Sequence, residues 1–177
     1  MKMDSYRSFW EWLVYRDRDG DRGIGNIVNV WLAFHLTLGL LLATLVRIPI
    51  SDLATKVAIP GAAILVGLSF AWAGRSASLF QDKAFSEFII KDGAPIEGYL
   101  YSFQLGILSV LTFLAITFII YAGGLGLSTG CSQIDIFTNR FLIISVGSIA
   151  LRECWGAIGF VNKLTIQFYK IRAAELQ

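Results

Sequence analysis

Charge is scarce in this chain. Of its 177 residues only 16% are Asp, Glu, Lys or Arg, against 55% hydrophobic, whereas soluble domains carry about a quarter charged residues. A separate soluble domain is excluded and a membrane protein is implied. Histidine occurs once, at His35, and the two cysteines are Cys131 and Cys154. There is no Cys/His cluster to hold a metal, and a loop cysteine and a mid-helix cysteine lie too far apart to bridge. A net charge of +2 without a basic run gives nucleic acid no footing. Enzyme chemistry also lacks its parts, for there is no H-E-x-x-H, no G-x-S-x-G and no nucleophile with base and orienter. The stretch from Gly124 to Gly130 has Cys131 where a P-loop places lysine, and Asp17, Asp19 and Asp21 precede Arg22 and Val28 where a calcium loop needs Gly and Glu. No catalytic residue, cofactor or metal is expected.

What is present is a set of four apolar runs, at about residues 26–46, 57–74, 99–121 and 141–161, each near the roughly 20 residues a spanning helix requires. The expected fold is an all-α membrane protein, a four-transmembrane-helix bundle over residues 24–177. Residues 1–23 form an interfacial amphipathic segment, with Tyr6, Phe9, Trp10 and Leu13 at helical spacing among Arg7, Arg16 and Arg18. This segment lacks the marks of a signal peptide, so the first span is expected to insert the chain. Pro60 is expected in the first turn of the second span, where its missing N–H does no harm. Between spans 2 and 3 the pattern predicts a cytoplasmic amphipathic helix, with Leu79, Phe80, Phe85, Phe88 and Ile89 opposite Gln81, Asp82, Lys83, Glu87 and Lys91. Thr138 or Asn139 is expected to cap the last span, which runs on as a cytoplasmic helix over 162–177.

Lysine and arginine set the orientation. Apart from Arg152, only Arg47, Lys56 and Arg140 fall outside the N-terminal segment, the middle helix and the tail, so the positive-inside rule puts both termini in the cytoplasm. The expected location is a membrane that the chain crosses several times.

Arg152 and Glu153 interrupt the fourth run near its middle, where each charge costs at least about 2.5 to 3.5 kcal/mol unless it faces protein or water. His35 lies at the corresponding depth of the first run, so His35, Arg152 and Glu153 are expected to form one intramembrane polar cluster, with His35 the partner of Glu153. The competing reading gives His35 a single hydrogen bond and the two charges only each other. Ser145, Ser148, Arg152, Gly156 and Gly159 share a helix face, a small and polar stripe suited to helix packing or to lining a pore.

The order of elements, with the passages GAAILVGLSFAWAGRSASLF and FVNKLTIQFYKIRAAELQ, resembles the small four-span bacterial and phage inner-membrane proteins of phage exclusion and defence, RexB and KwaA among them. The resemblance is one of layout from about Asn26 onward and carries no site residue. It implies a membrane sensor or depolarising effector with a cytoplasmic partner. The function expected is a homo-oligomer in the lipid bilayer that controls ion permeability or senses membrane disturbance. The alternative is a non-conducting anchor or scaffold that recruits a soluble cytoplasmic protein.

Overall fold

The structure is a computed structural model that describes residues 8–14, 25, 28–83, 85, 96–123 and 132–175, and all its regular elements among these are helices. They are α1 (Phe9–Val14), α2 (Val30–Leu45), α3 (Ile50–Phe80), α4 (Ile96–Tyr121) and α5 (Ser132–Glu175). Of these, α3, α4 and α5 are long and apolar enough to cross a membrane, which marks a membrane protein by length and composition. The fourth expected span, α2, is a shorter apolar helix of 16 residues. At 1.5 Å per residue it covers about 24 Å, less than the roughly 30 Å of a hydrocarbon core.

Local chemistry accounts for several helix ends. Ser8 and Glu11 form a reciprocal capping box at α1, Glu11 N–H donating to Ser8 Oγ at 3.3 Å and Ser8 N–H to Glu11 Oε2 at 2.9 Å. Asn29 caps α2 by accepting from Trp31 N–H at 2.9 Å. Gly123, at φ 74°, adopts the left-handed turn that closes α4, its N–H donating to Ile120 O at 3.1 Å.

Two boundaries differ from the sequence expectation. α3 starts at Ile50, so Pro60 sits in the helix interior rather than its first turn. The chain accommodates it by widening into a π turn, Leu53–Ala58, in which Ile59 N–H donates to Ala54 O. This relieves the clash that a proline ring makes with the carbonyl four residues back, here Lys56. α5 begins at Ser132, which leaves Thr138 and Asn139 inside the helix instead of capping it, and continues unbroken through Val161 to Glu175. No proline or breaker separates the apolar run from its polar flanks, so helix propagation carries on where hydropathy stops.

α5 is the axis of the bundle. α3 and α4 pack on it through Ala58, Ala62, Val110, Phe113, Ile143 and Ala150, and α2 lies antiparallel along another face through His35, Gly39 and Ala43. Past Val161 a second cluster forms, in which Phe85 and Leu164 are buried among Phe80, Phe160 and Phe168. Arg172 donates to Asp82 Oδ2 at 2.5 Å across it. α1 lays Phe9 and Trp12 against the buried Tyr101 of α4, with ring centroids 5.9 and 5.6 Å apart. The remainder of the N-terminal segment, most of the amphipathic stretch between α3 and α4, and the loop with Cys131 lie outside the described residues.

Candidate functional site

The contact between α2 and α5 is close and polar. His35, Gly39 and Ala43 recur every four residues and so present one face. Against them α5 sets Ser148 and Ser145. Gly39 has no side chain because there is no room for one: a Cβ there would overlap Ser145 Oγ and lie 3.0 Å from Ser145 Cβ. One turn away, His35 Nδ1 and Ser148 Oγ share a hydrogen bond of 2.6 Å. Two polar atoms in this seam are buried with no hydrogen-bond partner among the described residues, His35 Nε2 and Ser145 Oγ. Leaving such a group dry costs about 1–3 kcal/mol, so the seam favours water where water can reach it.

The charged pair lies at one end of this seam. Successive residues on a helix point about 100° apart, yet the long Arg152 side chain curls back. Its Nε donates to Glu153 Oε1 at 2.9 Å and its Nη2 pairs with the same oxygen. Arg152 Nη1 also donates to Asn29 Oδ1 at 3.3 Å, so the α2 cap and the α5 cation share one acceptor. Beside them a cavity of about 530 Å³ opens between α2, α4 and α5. Arg152, Glu153, Asn29 and His35 contribute polar groups to its lining, and Trp31, Phe34, Phe103 and Phe160 contribute rings.

Depth depends on which helix is counted. Along α5, Arg152 is midway between Arg140 and Lys163, as the sequence suggests. Along its neighbours it is not central: Glu153 meets α4 at Gly106 and Cys154 meets α3 at Ser69, each about 9 Å of helix from Leu100 or Arg75. It is also level with the first residue of α2. The pair therefore lies toward one end of the bundle, within reach of polar surroundings, which makes its charge less costly than at a bilayer centre.

His35, Arg152 and Glu153 thus line one cavity. The bond that His35 makes, however, goes to Ser148 and not to Glu153. The five-residue stripe on α5 divides. Ser145, Ser148 and Arg152 meet α2, while a Cβ at Gly156 or Gly159 would touch nothing within 4 Å. Asn29 and Gly39 were not legible as site residues. Asn29 carried a signal, an N-cap side chain directly ahead of an apolar run, whereas Gly39 matters only through its register against Ser145. Cys154 is buried beside Ser69, with Oγ to Sγ at 3.3 Å. Among the described residues no group of three His, Cys, Asp or Glu side chains could hold a metal ion.

No family model, no curated protein and no solved structure matches this chain.

Proposed function

We propose that this chain is an oligomeric integral membrane protein that controls ion permeability, with protons as the first ion to test. One observation carries the reading. The α2–α5 seam holds a file of polar groups, from the Arg152–Glu153 pair through His35 and Ser148 to Ser145, and two of its buried atoms have no hydrogen-bond partner among the described residues. Water in such a file would complete a hydrogen-bonded path through part of the bundle. A single bundle encloses no lumen, so permeation requires several copies. Gly159 on α5 and Gly67 and Gly74 on α3, where a Cβ would meet nothing within 4 Å, would let a second copy approach closely. On hydropathy and the placing of Lys and Arg, α2 is a fourth span and both termini are cytoplasmic; on the resemblance in layout, the setting is a bacterial inner membrane and the use is antiviral defence.

In liposomes loaded with a pH-sensitive dye, the wild-type protein should dissipate an imposed proton gradient. His35→Phe and Ser148→Ala should each slow the flux about tenfold, the equivalent of one buried hydrogen bond in a barrier. Flux equal in all three proteins, or none in the wild type, would overturn the reading. The second outcome favours the anchor or scaffold reading, which has its own observation: beyond the membrane-length segment, α5 carries exposed Ile166 and Tyr169 on one face, as a helix that docks a soluble partner would.

Orientation has a separate check. Cysteines introduced between Gly123 and Thr138 should label from outside intact cells, and a reporter after Gln177 should read cytoplasmic. Labelling only after permeabilisation would reverse the topology.

A further inference from the structure

The cavity between α2, α4 and α5 has a chemical character that proton movement does not require. It places a cation and an anion side by side, Arg152 and Glu153, beneath aromatic walls at the positive end of a helix dipole. We propose that this cavity binds the headgroup of a phosphatidylethanolamine molecule, drawn from the leaflet on the side of the α2 N-terminus. The phosphate would lie at Arg152 and the first turn of α2, and the primary ammonium at Glu153.

Four observations bear on this. Both bonds from Arg152 to Glu153 end on Oε1, which leaves Oε2 with no bond among the described residues and able to accept from an ammonium. The two side chains are only 21% and 14% exposed, so a charged ligand here meets little competing water. The aromatic walls, Trp31, Phe34, Phe103 and Phe160, suit the glycerol and upper acyl region that accompanies a lipid headgroup and not a small soluble zwitterion. Finally, with α2 as a fourth span, as proposed above, its 16 residues fall about 6 Å short of the thickness of a hydrocarbon core, and headgroups beside it would be drawn inward to the level of Asn29, where the cavity opens. A purely anionic lipid would bring its phosphate to Arg152 with nothing to offer Glu153. A choline headgroup has the charge but no N–H to donate.

The test is native mass spectrometry of the full-length protein in a mild detergent, titrated with palmitoyl-oleoyl phosphatidylethanolamine, phosphatidylcholine or phosphatidylglycerol, and with soluble phosphoethanolamine as competitor. Phosphatidylethanolamine should be retained about tenfold more than either other lipid, the change expected for one charge-assisted hydrogen bond. Glu153→Gln should remove that preference. Ala157→Phe, which fills the cavity while leaving Arg152 and Glu153 in the chain, should abolish retention of that lipid in a protein whose helicity and unfolding temperature match the wild type, and so covers the case in which the charge variant misfolds. Equal retention of ethanolamine and choline lipids, preference for phosphatidylglycerol, or retention unchanged in Ala157→Phe would each overturn the proposal. Displacement by phosphoethanolamine at equal concentration would assign the site to a soluble ligand and overturn the lipid as its source.

Discussion

Gly39→Val should destabilise the protein by about 2–3 kcal/mol, the upper range for forcing extra atoms into a packed contact, and should do so without changing charge or overall hydropathy. The cause is local. A Cβ at residue 39 overlaps Ser145 Oγ, and even with that hydroxyl rotated away it lies 3.0 Å from Ser145 Cβ and 3.2 Å from Ser145 Cα, which cannot yield without separating α2 from α5. Gly39→Ala should show the same effect more weakly, and Ser145→Gly in the same chain should recover part of the loss despite its own helix-propensity cost of about 1 kcal/mol. Thermal unfolding in detergent reads this directly. If Gly39→Val unfolds at the wild-type temperature, the close approach of the two helices is wrong. An equivalent change at Gly67, where a Cβ meets nothing within 4 Å, is the control within a monomer.

The second large effect belongs to Glu153. Glu153→Ala should cost up to about 3 kcal/mol, because it removes the carboxylate that takes two bonds from the Arg152 guanidinium. Glu153→Gln should cost less, since an amide oxygen still accepts. Replacing both charges with apolar residues of similar size should be milder than losing Glu153 alone, as removing a pair leaves no buried orphan. His35 adds a second cycle. Its bond to Ser148 at 2.6 Å means that coupling between His35 and Ser148 should exceed coupling between His35 and Glu153. The reverse order would restore the partner that sequence reasoning assigns to the histidine.

The contrast between these residues shows what the sequence can and cannot convey. Charges in an apolar run are legible because hydrocarbon forbids them to stay unpaired, so Arg152, Glu153 and His35 stand out as candidates from their places in the first and fourth runs. Which atom each one meets is not legible, since that depends on how far α2 slides along α5. The slide that puts Gly39 on Ser145 brings His35 to Ser148 and Asn29 to Arg152. Helix limits were missed for a different reason. Hydropathy marks where a helix can enter lipid, but Ile50 to Lys56 and Ser132 to Arg140 are helical stretches with little apolar signal, and nothing in their sequence stops the helix. The π turn before Pro60 leaves no periodic trace either, because a single wide turn shifts phase only once.

α5 runs as one rod of 44 residues, about 66 Å long, and its attachments are spread along nearly all of it. Arg140 donates to Ile48 O near one end, Ser148 and Arg152 hold α2, Cys154 touches α3, and Arg172 reaches Asp82 near the other end. A continuous helix transmits torque, so these attachments are keyed to a single rotational phase, like cams on a shaft. A twist of α5 by a few tens of degrees would turn Arg152 away from Asn29 and Arg172 away from Asp82 in the same movement. A disturbance at the end near Arg140 would then be felt at the far tail without any bending of the chain between them.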